Sequence, residues 1–270
     1  MHVAALYLHP VKSARSVRVD AARVTPLGFA HDRRFMVVDA TGRFVSQRER
    51  PALRDLEATV EAEMLVLHWR DGNAKPVRVS LEPDSHAATR PVTIWEDAVD
   101  GASCSDEVAA FLSDRLGPGH ALVTLPHPEA RPRSTGHVEG AFHVSFADGY
   151  PFLIANDASR RDLEERSGTP LAMERFRPNL VIDGLEPWGE DDVARLRVGE
   201  VTFDLVKPCV RCVVTTLDPD GGAAGKEPLA TLATFRRDAE GGVTFGVNAV
   251  ARGEGRVGVG DRVEVLERRA

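Results

Sequence analysis

The first third of the chain is a succession of short segments in which apolar and polar side chains alternate. HVAALYLHPV is apolar and rich in strand-forming residues, SVRVDAARV alternates, and FMVVDATGRFVSQ holds two strand-like runs around Thr41-Gly42. LEATVEAEMLVLHW and VRVSLEP alternate again. A period of two is typical of strands with one buried face, and Thr41-Gly42 is suited to a hairpin turn. Residues 1 to about 95 therefore predict a closed or sandwiched sheet of many short strands.

Helical periodicity first occurs in SCSDEVAAFLSDRLG, residues 103–117. The apolar side chains of this segment recur at the spacing of one helix face, at Val108, Phe111, Leu112 and Leu116. Ser and Asp at its start and Gly117 at its end are the usual start and stop signals of a helix. Residues 117–149 then combine prolines and glycines with little periodicity, which predicts a long surface connector.

The second half of the chain is mixed. YPFLIANDASRRDLEERSG (150–168) predicts a strand and then a capped helix, and EPLATLATFRRD (227–238) predicts a short helix. Five further segments predict strands: LVIDG, LRVGEVTFDLVKP, VTTLDP, VTFGVNAVAR and GRVGVGDRVEVLE. The fold class predicted for the whole chain is therefore mainly β with some α (α+β).

Composition narrows the class of protein. The 270 residues are 43% hydrophobic, enough for one large domain or two ordinary ones, and the net charge of −7 argues against a nucleic-acid binder. The N-terminus lacks the charged start and long apolar run of a signal peptide, and no apolar stretch reaches the roughly 18 residues of a membrane span. Three cysteines do not form a disulfide framework. We expect a cytoplasmic protein with no nucleic-acid partner and no membrane association.

Two of the three cysteines stand in KPCVRCVVTT, residues 207–216. A structural zinc site needs four ligands, but only Cys104 and scattered histidines remain. A thioredoxin-like dithiol opens a helix, whereas VVTT is β-branched and predicts a strand. Both interpretations are therefore less favoured than two others. One is a single functional thiolate beside the cations Lys207 and Arg211, and the other is a pair of inert, buried cysteines.

The longer segment KPCVRCVVTTLDPDGG resembles the hallmark of MOSC domains, the molybdenum-cofactor sulfurase C-terminal family. Its pattern is most like that of the mitochondrial amidoxime-reducing component and its bacterial counterparts. Other segments resemble the N-terminal β-barrel domain and the MOSC domain of these proteins in the expected order, over nearly the whole chain. These segments are LHPVKSARS (8–16), GFAHDRRFMVVDATGRFVSQRERPAL (28–53), FADGYPFLIANDAS (146–159), RFRPNLVIDG (175–184), EPLATLATFRRD and GVGDRVEVL.

This resemblance implies an N-terminal MOSC-associated β-barrel domain over residues 1–116. It also implies a β-barrel-like MOSC domain with short flanking helices over residues 117–270. A molybdenum cofactor (Mo-molybdopterin) is expected between the two domains. In the reductase relatives the second cysteine of the segment coordinates molybdenum, which makes Cys212 the expected catalytic and metal-binding residue. Cys209 is left with a packing or supporting role.

The resemblance also implies a set of cofactor contacts. The expected contact residues are Lys12, Ser13, Arg33, Arg177, Asn179, Ser145 and Asn156, with Asp148 and Ser159 as further candidates. Simpler explanations compete with this interpretation, because single lysines and arginine pairs are usually solvated and Asp157 or Ser159 could cap a helix. Pro178 is expected to hold Arg177 in an extended backbone. None of the histidines His9, His31, His137 and His143 has a partner that would suggest a role.

The function implied is reduction of N-hydroxylated small molecules, namely amidoximes, hydroxylamines or N-hydroxylated bases. Electrons would come from a separate ferredoxin or flavoprotein, since the chain lacks the four cysteines of a fused iron–sulfur domain. The alternative is a molybdenum-cofactor or sulfur carrier without turnover, because a reactive cysteine suits that role too. A third hypothesis is a structural or interaction protein with inert cysteines.

Overall fold

The computed structural model describes residues 1–82, 88–138, 140–221 and 225–269. Its strands are β1 (His2–Leu8), β2 (Val11–Lys12), β3 (Val17–Val19), β4 (Ala21–Thr25), β5 (Gly28–Phe29), β6 (Phe35–Val38), β7 (Leu56–Glu61), β8 (Met64–Trp69), β9 (Val77–Ser80), β10 (Thr89–Ile94), β11 (Asp97–Ser103), β12 (Ala121–Thr124), β13 (Pro132–Arg133), β14 (Phe142–His143), β15 (Phe152–Asn156), β16 (Leu180–Asp183), β17 (Val193–Val198), β18 (Val201–Val210), β19 (Thr244–Arg252), β20 (Gly255–Gly258) and β21 (Val263–Arg268). The α-helices are α1 (Asp106–Leu116), α2 (Asp157–Ser167) and α3 (Leu229–Leu232). Short 3-10 helices span Pro51–Asp55, Pro128–Ala130, Met173–Phe176 and Val213–Thr216.

Two large sheets organise the chain. The first has eight strands in the order β21-β17-β18-β19-β15-β16-β1-β3 and curls into a half-barrel. The second has five strands in the order β10-β11-β12-β6-β2. Smaller sheets of two or three strands (β13-β14, β20-β4-β5 and β7-β8-β9) accompany them. The prediction of a mainly β fold with short flanking helices is confirmed.

The N-terminal segment connects the two large sheets. β1 pairs antiparallel with β16 of the eight-stranded sheet, and β2 pairs parallel with β6 of the five-stranded sheet. The chain therefore crosses from one sheet to the other between Leu8 and Val11. This crossing places the residues that follow it at the junction of the sheets, where side chains from both halves of the sequence can meet.

The largest hydrophobic core combines residues 3–29 with residues 152–263, and a second core lies within residues 11–122. Phe152 packs edge-on against Phe29 and Phe203, with ring centroids 5.1 and 5.2 Å apart, in the core of the eight-stranded sheet. In the N-terminal core, Trp69 stacks on Phe111 of α1 at 5.5 Å. The predicted apolar face of α1 is buried there, and Gly117 ends the helix at φ 89°. Burial of these large aromatic side chains is the main source of stability in such cores.

Three local predictions need correction. The predicted connector 117–149 contains β12, which pairs with β6 and β11 because its apolar run ALVT is long enough to complete that sheet. The helix predicted for 227–238 is limited to Leu229–Leu232. VVTT forms the 3-10 helix Val213–Thr216 and not a strand. The hydroxyls of Thr215 and Thr216 donate to carbonyls three residues earlier, at 3.0 and 2.8 Å, and this stabilises the turn.

The division of the chain at residue 116 stays a prediction.

The longest described helices, α1 and α2, have 11 residues each, and no helix in the described ranges has the length and apolar content to cross a membrane.

Candidate functional site

A cleft lies at the junction of the two large sheets, and it brings together six of the side chains singled out in the sequence. Its lining includes Lys12, Ser13, Arg33, Arg177, Asn179 and Cys212. These residues come from β2 and the residue after it, the loop before β6, the segment before β16 and the segment after β18. Residues separated by up to 200 positions therefore share one surface.

Cys212 offers its thiol to the cleft. It is exposed and precedes the 3-10 helix Val213–Thr216, whose Thr215 donates its N–H and its hydroxyl to the Cys212 carbonyl at 3.1 and 3.0 Å. These bonds fix the backbone while the thiol stays accessible. No group of three or more His, Cys, Asp or Glu side chains suited to a metal is present in the part of the chain that the structure describes.

The other two cysteines have different surroundings. Cys209 is half-buried, and its Sγ accepts a hydrogen bond from Arg211 Nη1 at 2.9 Å. Burial raises the pKa of Cys104 to about 12, so that thiol stays protonated at neutral pH. Of the three cysteines, Cys212 is the exposed one. Both Cys209 and Cys212 line the cleft, and they differ in exposure and in the Arg211 bond that only Cys209 accepts.

Four residues of the cleft have a left-handed backbone. Ser13, Arg33, Trp95 and Arg177 adopt φ values of 62°, 50°, 55° and 52°. Such conformations cost about 1–3 kcal/mol each for residues other than glycine, and they persist only where other contacts impose them. The convergence of four such residues on one cleft makes it a stronger candidate for a functional site than any one of them would alone.

The conformation of Arg177 corrects a prediction. Pro178 was expected to keep this residue extended, but Arg177 ends the 3-10 helix Met173–Phe176 in the left-handed region. Its N–H donates to the Glu174 carbonyl at 3.0 Å, and its own carbonyl accepts from Arg33 Nη2 at 3.2 Å. Its side chain donates to the Ala14 carbonyl at 2.7 Å. These contacts outweigh the local preference set by Pro178.

A buried network orients Arg33. Its guanidinium pairs with Asp32 and donates to Asn179 Oδ1 at 3.1 Å. Asp32 is 4% exposed and also accepts the His9 backbone N–H at 2.8 Å. Sequence reasoning missed Asp32, although an acidic residue directly before two arginines in HDRRF was an available signal. Asn179 also accepts the Leu153 N–H at 3.2 Å, so its amide is held from both sides.

Lys12 is buried, unlike an ordinary surface lysine. Its Nζ donates to the Phe146 carbonyl at 2.8 Å, forms an ion pair with Asp148, and lies 4.9 Å from the Phe44 ring centroid. Burial lowers the pKa of Lys12 to about 8, although Asp148 acts in the opposite direction. Asp148 in turn accepts the Trp95 indole N–H at 2.8 Å. The cleft thus holds an ammonium group close to its deprotonation range.

Positive charge exceeds negative charge along the described lining of the cleft. Its cations are Lys12, Arg33, Arg48, Arg177 and Arg211, and its carboxylate is that of Asp148. Arg177 Nη2 and Arg211 Nε are buried without a hydrogen-bond partner within the described residues. Burial and the like charge of Arg33 lower the pKa of Arg177 to about 9. An anionic ligand would relieve both the charge repulsion and the missing hydrogen bonds.

The cleft lining does not include Ser145, Asn156 or Ser159. Ser145 is buried outside the cleft lining. Its hydroxyl donates to the Arg33 carbonyl at 2.8 Å and so helps to fix the Arg33 backbone. Asn156 caps α2 by accepting the Ala158 N–H at 3.2 Å. Ser159 donates to the buried carboxylate of Glu190 at 2.7 Å. The helix cap is thus Asn156, and neither Asp157 nor Ser159 has that role.

His9 makes the stability of this region pH-dependent. Burial first, and then Arg33 and Arg177, lower the pKa of His9 to about 3. The folded protein therefore holds a neutral ring whose stabilising effect is complete above pH 6.5 and is lost as the pH falls towards 3. We expect wild type to lose about 2–3 kcal/mol more unfolding free energy than His9→Asn between pH 7.5 and 4.5. Asparagine retains an N–H donor for Asp32 and does not titrate.

The measurement is denaturant unfolding of cofactor-free wild type and His9→Asn at both pH values. Parallel losses of stability in the two proteins would show that His9 is not the titrating group.

Family comparisons agree with this architecture. Residues 1–118 match the family model for the MOSC N-terminal beta barrel domain, and residues 141–264 match the model for the MOSC domain. The chain therefore belongs to the MOSC-domain proteins that carry this N-terminal domain. The resemblance inferred from the sequence motifs is confirmed.

Individual relatives include the mitochondrial amidoxime-reducing component 1 of mouse and of human. The mouse protein is 31% identical over 87% of this chain and 71% of its own length, and the human protein is 30% identical over 98% and 82%. The molybdenum cofactor sulfurase of Drosophila grimshawi is 30% identical over 90% of this chain but only 31% of its own length. The crystal structure of the YUAD protein from Bacillus subtilis aligns over 97% of this chain and 93% of its own, with 10% identity and a TM-score of 0.45.

Proposed function

We propose that this protein binds the molybdenum cofactor, Mo-molybdopterin, in the cleft and reduces N-hydroxylated small molecules. The observation that carries the proposal is the presence of an exposed Cys212 thiol beside buried, incompletely compensated cations. The names of the relatives support this proposal, since they include amidoxime-reducing components and a molybdenum cofactor sulfurase.

The residues of the cleft fit this group. A thiolate is a soft ligand of the kind found at transition-metal centres, and Cys212 would supply it. Arg177, Arg33 and Lys12 would hold the phosphate of the pterin, because charge-assisted bonds from buried cations to phosphate are strong. Ser13 and Asn179 would contact the polar ring. When bound, the cofactor supplies the two-electron oxygen-atom chemistry that amino-acid side chains lack.

The chain's own residues would hold the cofactor and orient the reactants. Asp32 and Asn179 fix Arg33, and the Phe44 and Trp95 rings border the cleft next to Lys12. Lys12 stays mostly protonated at neutral pH, because its pKa of about 8 lies above 7, and so it would serve as a cation for the phosphate. Reduction of R–NHOH consumes two electrons and two protons and yields R–NH2 and water. We propose that a separate ferredoxin or flavoprotein supplies the electrons. We also propose that the protein acts in the cytoplasm.

A turnover assay tests this function. Protein made in a host that synthesises the cofactor is given dithionite-reduced viologen as a small electron donor and benzamidoxime as substrate. We expect benzamidine to form at a rate proportional to bound molybdenum. Suppose instead that the protein is fully loaded with metal but forms neither benzamidine nor a reduced product from any of a panel of N-hydroxylated compounds. That result would favour a cofactor or sulfur carrier.

A further inference from the structure

Two exposed apolar side chains flank Cys212 along the chain, and a third lines the cleft. Val210 ends β18 two residues before this cysteine and is 56% exposed, and Val213 follows it directly and is 51% exposed. Trp95, which lines the same cleft, is 49% exposed. These are three of the seven large hydrophobic side chains that are exposed in the described chain. Clustered exposure of this kind marks a contact surface, whereas scattered single residues do not.

Two cations border the same surface and have no carboxylate partner. Lys207 is exposed, and its Nζ lies 5.9 Å from the ring of Tyr150, which lines the cleft. The exposed Arg48 lies over the Trp95 ring at 4.7 Å. Neither forms an ion pair within residues 1–82, 88–138, 140–221 and 225–269. Other exposed arginines of the described chain do form one, including Arg43, Arg78, Arg166, Arg197 and Arg252, whereas some, such as Arg18 and Arg256, do not.

This positive patch lies on a protein of net charge −7. A negatively charged partner is repelled by most of the surface and attracted to the patch, so the charge distribution orients its approach. The arrangement of an apolar centre with a charged rim is that of a protein interface. Complexes between electron-transfer proteins have small interfaces, so charge attraction of this kind contributes much to their formation.

We propose that the surface formed by Val210, Cys212, Val213, Trp95, Arg48 and Lys207 docks a small acidic electron-transfer protein of the ferredoxin kind. We name it the cysteine ridge. The inference rests on the proposed function, because the reaction takes up two electrons that the chain itself does not supply. Two reduced ferredoxins each deliver one electron and are oxidised. The substrate N–O bond breaks with uptake of two protons, and water leaves.

The position of the ridge gives the electrons a short path. Cys212 is the proposed metal ligand and lies between the two exposed valines in sequence. A partner seated on Val210 and Val213 would therefore lie within a few residues of the Cys212 thiol. Lys207 lies outside the cleft lining, so it can be changed without touching the proposed cofactor contacts.

Binding to cofactor-free protein tests the ridge without any turnover. The probe is an acidic plant-type [2Fe–2S] ferredoxin, titrated calorimetrically at low salt and at about 0.5 M salt, where charge steering is screened. We expect Lys207→Glu and Arg48→Glu each to weaken binding roughly tenfold at low salt, with little difference remaining at high salt. Lys75→Glu is the matched control, because Lys75 is exposed, has no ion pair among the described residues and lies on the turn between β8 and β9.

Equal weakening by Lys207→Glu and Lys75→Glu would refute the ridge, since only net charge would then matter. Failure of wild type to bind either this ferredoxin or an acidic flavodoxin at low salt would refute it as well. The viologen assay separates this outcome from failure of the proposed function. Turnover with viologen but no charge-specific ferredoxin binding overturns the ridge alone, whereas charge-specific binding without turnover overturns the reductase function alone.

Discussion

Replacing Cys212 by alanine is expected to remove nearly all molybdenum from the protein, whereas Cys209→Ala is expected to retain most of it. Cys212 is the exposed thiol of the cleft, and Cys209 is half-buried and bonded to Arg211. A metal–thiolate bond depends on one sulfur atom, so its loss cannot be compensated by a neighbour that faces another partner. We expect molybdenum per chain to fall at least about tenfold in Cys212→Ala.

Elemental mass spectrometry of wild type and both variants, made in the same cofactor-competent host, gives the molybdenum content. Unfolding of the cofactor-free proteins is the control, and an exposed side chain such as Cys212 should change stability by less than about 0.5 kcal/mol. Equal molybdenum losses in the two variants would contradict the single-ligand assignment. Zinc in wild type would favour a structural zinc site in place of the single molybdenum ligand, and an oxidised cysteine pair would favour a redox dithiol.

Elements with strong periodicity could be predicted from the sequence. The face of α1 with Val108, Phe111, Leu112 and Leu116 is buried as expected, because the 3.6-residue period leaves few other solutions. β12 was missed because four apolar residues between Gly119 and Pro126 are too few to show a period. VVTT was mistaken for a strand because propensity scales ignore the hydroxyl-to-carbonyl bonds that stabilise its turn.

The candidate site was predictable only as a set of residue types. Helix capping and ligand binding use the same polar side chains, so the sequence does not tell the two roles apart for Asn156 and Ser159. The fold shows that Asn156 caps α2 and that Ser159 bonds to Glu190. The left-handed backbones of Ser13, Arg33 and Arg177 leave no trace in sequence, since they are imposed by contacts with residues far along the chain. Asp32 was overlooked although it stands directly before two arginines, because its role depends on burial beside His9 and Arg33.

Arg177→Met is expected to lower cofactor content strongly without weakening the fold. Arg177 Nη2 has no partner in the described chain, and the like charge of Arg33 acts against its guanidinium. Relief of the repulsion from Arg33 offsets loss of the bond to the Ala14 carbonyl, so we expect the cofactor-free protein to stay about as stable as wild type. Losing a charge-assisted bond to an anionic ligand costs about 1.5–3 kcal/mol, roughly a tenfold to hundredfold loss of affinity. Methionine keeps the volume and adopts the same left-handed backbone at similar cost.

Arg175→Met is the matched control, since Arg175 has a carboxylate partner and Arg177 forms no ion pair among the described residues. Arg175 pairs with Asp218 at 2.7 Å and does not line the cleft. We expect its replacement to lower the unfolding free energy by about 1–2 kcal/mol and to leave pterin and molybdenum per chain near the wild-type value. Pterin is measured by fluorescence after acid oxidation, and stability by denaturant unfolding of cofactor-free protein. A destabilised Arg177→Met with normal pterin content would make Arg177 a structural residue, and the excess charge of the cleft would then need another ligand.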